Sequence, residues 1–128
     1  MVNLKTLNIE QTSKTPGIIC DGSIGKVTIK GRSVPENAVE FFTPVKNWIT
    51  NYINSPQDIT EVSIDLDYFN TSTSIILLNL LRLFEPLKSN DKNIIFNWYY
   101  ESDDLDMKEA GEEYQLMMGQ EFNLKVKE

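Results

Sequence analysis

Glu61-Val62-Ser63-Ile64-Asp65-Leu66-Asp67-Tyr68-Phe69, followed at once by Asn70-Thr71-Ser72-Thr73-Ser74, is the stretch on which the fold turns. Successive side chains of an extended chain point to opposite faces, so Val62, Ile64, Leu66 and Tyr68 share one side and Glu61, Ser63, Asp65 and Asp67 the other. A strand from Ile59 to Phe69 with that alternation belongs to a sheet with one wet face. The period then lengthens, and the Leu- and Ile-rich segment through Ile75 to Leu87 is a helix.

Downstream, Ile94 to Tyr99 forms a strand, and a helix from about Asp106 to Met118 buries Met107, Ala110, Tyr114 and Met117. A last strand puts Phe122, Leu124 and Val126 on one side. Trp98, Tyr99 and Tyr100 divide between the two sheet faces. Upstream, Leu7 and Ile9 alternate with polar neighbours, and Asp21-Gly22-Ser23-Ile24-Gly25 is a hairpin turn between Ile18-Ile19-Cys20 and Val27-Thr28-Ile29. Ser33 and Glu36 have the spacing of a capping box and start a helix. Its apolar stripe is Ala38, Phe41, Phe42, Val45, Trp48, Ile49, Tyr52 and Ile53. Pro44 either kinks this helix or opens a second segment capped by Thr43.

Strand, hairpin, then helix and strand alternating three times favour right-handed crossovers. The fold expected is α/β, a two-layer sandwich. Its mixed β-sheet has antiparallel N-terminal strands and helices mainly on one face, in one domain over residues 1–128.

Composition narrows the chemistry. The 128 residues contain no histidine, which removes imidazole bases, phosphocarriers and ligands, and the single Cys20 excludes an intramolecular disulfide. With 12 Lys+Arg against 19 Asp+Glu, the net charge of -7 opposes nucleic acid and anionic membranes as partners. No signal peptide or membrane span is visible, and a cytoplasmic location is expected. The Gly22 to Lys26 stretch lacks the residues of a phosphate loop.

Parallel strands ending near Lys30, Phe69 and Tyr100 would bring Arg32-Ser33, Asn70 to Ser74 and Glu101 to Asp104 to one sheet edge, where sites in open α/β sheets gather. Asn70, Thr71 or Ser72 caps the following helix, but capping needs only one residue of that run. A phosphoryl group there would meet free amides and the positive end of the helix dipole. Glu101 to Glu113 holds seven acids and one lysine, a spacing unlike an EF-hand, and is read as a helix start and an acidic docking surface. Arg32 is either a surface cation or the partner of a nearby anion. No cofactor is expected. One alternative is a small Mg-dependent acidic-site enzyme, a metal-dependent hydrolase, or a metal-binding protein, using Asp65, Asp67, Asp103 or Asp104.

The series Gly31-Arg32-Ser33-Val34-Pro35-Glu36-Asn37-Ala38, Trp48 with Tyr52, Asp67-Tyr68-Phe69-Asn70-Thr71-Ser72, Trp98-Tyr99-Tyr100-Glu101 with Asp103-Asp104, and Glu109-Ala110-Gly111-Glu112 resembles the SiaC-type biofilm-regulation phosphoproteins of bacteria. The resemblance implies a STAS-like fold and a non-enzymatic switch. In that family a threonine is phosphorylated by a serine/threonine kinase and dephosphorylated by a PP2C-type phosphatase, and the unphosphorylated form binds and activates a diguanylate cyclase. By motif position the threonine is Thr71, with Ser72 as second choice; Thr73 stands where a serine is expected. Arg32, Tyr68, Asn70, Ser72 and Thr73, joined by Tyr100, Asp103 and Asp104, are the expected partner-binding residues. A related alternative keeps the STAS-like fold and makes the protein an anti-sigma-factor antagonist.

Overall fold

The structure, a computed structural model, describes residues 6–127. In chain order its elements are β1 (Leu7–Ile9), β2 (Gly17–Asp21), β3 (Lys26–Ser33), α1 (Ala38–Tyr52), β4 (Ile59–Phe69), α2 (Thr71–Arg82), α3 (Pro86–Ser89), β5 (Asn93–Glu101), α4 (Leu105–Met118) and β6 (Asn123–Lys127). The strands lie side by side in sequence order. β1, β2 and β3 are antiparallel neighbours, whereas β3 to β6 are parallel and joined through helices. Two-residue periodicity on one side and helical stripes on the other therefore assemble as expected, into a mixed-sheet two-layer sandwich.

The core lies between the layers. Val27, Ile29, Val62, Ile64, Leu66, Phe96 and Trp98 from the sheet are buried with Phe42, Val45, Ile49, Leu77, Leu81 and Tyr114 from the helices. Trp98 and Tyr100 turn toward this layer, while Tyr99 faces the open side beneath Lys125, 5.8 Å from its ring centre.

Several local expectations change. Ser33 does not cap a helix: it ends β3 with its side chain buried, and Asn37 caps α1 by accepting from the Glu40 amide at 3.1 Å. Pro44 lies inside one continuous α1, where the Thr43 hydroxyl donates to the Val39 carbonyl at 2.6 Å rather than capping. α2 starts at Thr71, four residues before the apolar run, and ends at Arg82, leaving Leu87 to the separate α3. In α4, Met117 is 49% exposed; Gly111 takes the buried place, so close to Trp98 that a Cβ would sit 2.6 Å from Cδ1. Val126 is likewise exposed on the edge strand.

The most consequential departure is at Tyr68. Along β3 and β4 the register runs Gly31 opposite Leu66, then Arg32 opposite Tyr68, so Asp67 is an extra residue. Such a bulge reverses the alternation beyond it, and on the facing strand Gly31 takes a positive φ (112°) that glycine adopts without a steric penalty. Tyr68, expected on the core face with Leu66, is consequently half exposed, and Phe69 turns inward instead.

Candidate phosphorylation and docking site

The site is built on the carboxyl edge of the parallel strands. Asn70 is extended (φ -84°, ψ 175°) and its side-chain oxygen accepts from the Thr73 amide at 2.9 Å, which fixes the first residue of α2 as Thr71. The amides of Thr71 and Ser72 belong to the first turn and have no intrahelical acceptor. Both side chains are exposed.

Thr73 is different. It is fully buried, and its hydroxyl meets the Ser33 hydroxyl at 2.9 Å and the Ser33 carbonyl at 3.4 Å. The same carbonyl accepts from the Asn70 amide at 3.1 Å. Thr73, expected on the partner surface, is therefore an internal clamp to β3, because the third residue of the helix points back toward the sheet. Ser74 is also anchored, its carbonyl accepting the Tyr114 hydroxyl. Burial disfavours the phenolate and pushes Tyr114 up to about 12, a shift the Ser74 contact partly opposes.

Beneath this turn, Phe69, Trp98 and Tyr114 form an aromatic floor with ring centres 5.0 to 6.5 Å apart. The Trp98 ring nitrogen donates to the Met107 carbonyl at 2.9 Å, tying α4 to the same floor. Thr71 and Ser72 thus project from a rigid base.

The remaining expected residues surround that base unevenly. On the open face the Arg32 guanidinium lies 5.0 Å from the Tyr68 ring centre, and among the described residues it makes no ion pair. It is available to an external anion. Asp104 caps α4, accepting from the Met107 amide at 3.0 Å, while Asp103 is exposed in the preceding turn. Tyr100 is partly buried against the core. Asp65 and Asp67 share the Lys127 ammonium at 2.8 and 3.0 Å. Among the described residues no group of three or more His, Cys, Asp or Glu could hold a metal, and no helix is long and apolar enough to cross a membrane.

Sequence reasoning placed Tyr114 in the core, as found, but missed Ser33 and Phe69 as supports. For Ser33 a signal existed: it continues the two-residue period of Val27, Ile29 and Gly31. For Phe69 none did, since its inward turn depends on the bulge.

Comparison with known proteins agrees with this geometry. A model of the SiaC family of regulatory phosphoproteins matches residues 9–127. An uncharacterized protein of Pseudomonas aeruginosa (strain UCBPP-PA14) is 29% identical over 111 residues, spanning 87% of this chain and 88% of that one. The crystal structure of apo-SiaC from Pseudomonas aeruginosa superposes with a TM-score of 0.87 at 27% identity, covering 95% of this chain and 99% of that one. A chain in the crystal structure of the diguanylate cyclase SiaD in complex with its activator SiaC, from the same organism, gives a TM-score of 0.87 at 27% identity over 94% and 99% of the two chains. With nearly its whole length matched, the chain belongs to the SiaC family of regulatory phosphoproteins.

Proposed function

We propose that this protein is a non-enzymatic cytoplasmic switch whose unphosphorylated form binds and activates a diguanylate cyclase, raising cyclic di-GMP. Thr71 is the phosphorylated residue, modified by a serine/threonine kinase and restored by a PP2C-type phosphatase. The observation that carries the reading is the placement of Thr71: exposed at the first position of a capped helix, on an anchored turn, in a chain that matches an activator crystallised with its cyclase.

Phosphorylation there adds roughly 1.5 to 2 negative charges. The free amides of Thr71 and Ser72 can donate to the anion without disturbing the Asn70 cap or the Ser33–Thr73 clamp. Added at the sheet edge that Asp103 and Asp104 also leave, the charge makes this edge repel a partner surface that had fitted the neutral hydroxyl. Arg32 stands ready for either the phosphate or a partner carboxylate. The match to a cyclase activator favours this reading over an anti-sigma-factor antagonist. The ammonium of Lys127 already fills the position between Asp65 and Asp67 that a metal would take, which argues against the Mg-dependent alternative.

The test uses purified cyclase. Thr71→Ala should bind and activate it like the unphosphorylated protein, whereas Thr71→Asp and the phosphorylated protein should lose binding with little change in melting temperature. Equal binding by all three forms would refute the switch at this position.

A further inference from the structure

The pairing of β4 with β5 ends at Ile64 and Trp98, although β4 continues to Phe69. Beyond that point β5 stays paired with β6 as far as Glu101 and Lys127. The sheet therefore splits toward its carboxyl edge. The end of β4 is held by backbone bonds to β3, and there through the bulge at Asp67. A cleft of about 480 Å³ opens on the wet face along the split, lined in part by Asp65, Asp67, Tyr99, Glu101 and Lys127.

One side chain spans it. The Lys127 ammonium lies 2.8 Å from Asp65, 3.0 Å from Asp67 and 4.0 Å from Glu101, and the lysine side chain is only 15% exposed. We propose that Lys127 is a positioning residue for the phosphorylatable turn. By tying Asp65 and Asp67 to the last strand it holds the bulge, and the bulge sets how Tyr68-Phe69-Asn70-Thr71 leaves the sheet.

Three observations support this. Asp67 is the inserted residue itself, three positions before Asn70, so a restraint on its carboxylate acts where the chain changes direction. A one-residue slip at that point would turn Tyr68 inward and Phe69 outward, removing Phe69 from the Trp98–Tyr114 floor. Without the lysine, the carboxylates of Asp65 and Asp67 would stand on one wall of a half-open cleft with their mutual repulsion unrelieved. The lysine also remains charged: burial works against the ammonium, but hydrogen bonds and attraction from Asp65 and Asp67 outweigh it and raise its pKa. The functional weight of the inference rests on Thr71 as the switch, but its structural content does not.

Hydrogen–deuterium exchange of the full chain tests it. Lys127→Met should speed exchange of the hydrogen-bonded amides of this segment, those of Asn70, Thr73 and Ser74, by about tenfold while α1 and the centre of β3 keep their protection. Cyclase binding by the unphosphorylated protein should weaken in parallel. Lys127→Arg should restore both, since a guanidinium can bridge the same carboxylates. Asp67→Asn, which keeps the Lys127–Asp65 pair and so endangers folding less, should loosen the same amides. Unchanged exchange in this segment for Lys127→Met and Asp67→Asn would overturn the proposal, as would acceleration spread evenly over the chain. Exchange is read without the cyclase, so local loosening alongside normal binding by Thr71→Asp would sink the switch reading and leave the positioning role standing.

Discussion

The hydroxyls of Ser33 and Thr73 meet where neither residue has any exposed surface, so each depends on the other. Thr73→Val should leave the Ser33 hydroxyl short of a partner in the core and cost about 1–3 kcal/mol in urea unfolding. The double variant Ser33→Ala with Thr73→Val removes both polar groups and should be less destabilised than the two single losses added together. A strictly additive result would mean that the two hydroxyls do not support one another. Two positions away the expectation reverses. Thr71 is exposed and Asn70 supplies the cap, so Thr71→Ala should shift stability by no more than about 0.5 kcal/mol. Asn70→Ala should cost about 1 kcal/mol. Neighbouring hydroxyls in one short run are thus separated into an internal clamp and an exposed side chain, the proposed phosphate acceptor, by the turn of a single helix.

At the level of elements, α1 and α4 carry opposite irregularities. Pro44 sits in the interior of α1 on an exposed position, where it withholds an amide from the helical ladder. Pro44→Ala should stabilise the protein, by up to about 3 kcal/mol, measured by urea unfolding. In α4, Gly111→Ala gains helix propensity but places a methyl group 2.6 Å from Trp98 Cδ1, against a ring with no room to retreat. Packing should win and the variant should lose about 1–3 kcal/mol despite the better helix former. A more stable Gly111→Ala would show that α4 rides higher on the sheet than the Trp98 contact implies. These cases mark how far the elements were legible. The alternation from Val62 to Leu66, the stripe of α1 and the strand–helix order follow from periodicity, which local sequence records. The bulge at Asp67 does not, because Tyr68 and Phe69 are both apolar aromatics and the pattern fits either phase. The start of α2 was hidden as well: hydroxyl residues suit a loop or a first turn equally, and the choice is made by contacts to Ser33, forty positions away. For the same reason the sequence identified Thr71 and Ser72 as a phosphate-compatible run yet could not separate Thr73 from them.

On the scale of the whole molecule, the charge of -7 is distributed unevenly. Glu101 to Glu113 takes seven of the acids and one lysine, which leaves 11 basic and 12 acidic residues elsewhere. The structure places the start of this acidic segment at the edge from which α2 also begins, so one edge concentrates both the fixed charge and the proposed variable charge. Protons held by the fold supply a separate global test. Burial in the core raises Cys20 from 9.0 to about 12, and burial raises Tyr114 from 10.0 to about 12. For Lys127 burial opposes the charge, but hydrogen bonds and attraction from Asp65 and Asp67 prevail and raise its pKa. In all three the folded state binds the proton more tightly than the unfolded chain. Their contributions are therefore complete below the unfolded values and are lost as pH rises toward the folded ones. The urea midpoint should fall progressively from about pH 9, where unfolded Cys20 begins to ionise, through the range in which tyrosine and lysine follow. Added negative charge on the whole molecule pushes in the same direction, so the diagnostic is a difference: Cys20→Ala should lower the midpoint at neutral pH but flatten its decline between about pH 9 and 10 relative to wild type. Parallel curves for the two proteins across that interval would show that Cys20 is not held protonated by the core.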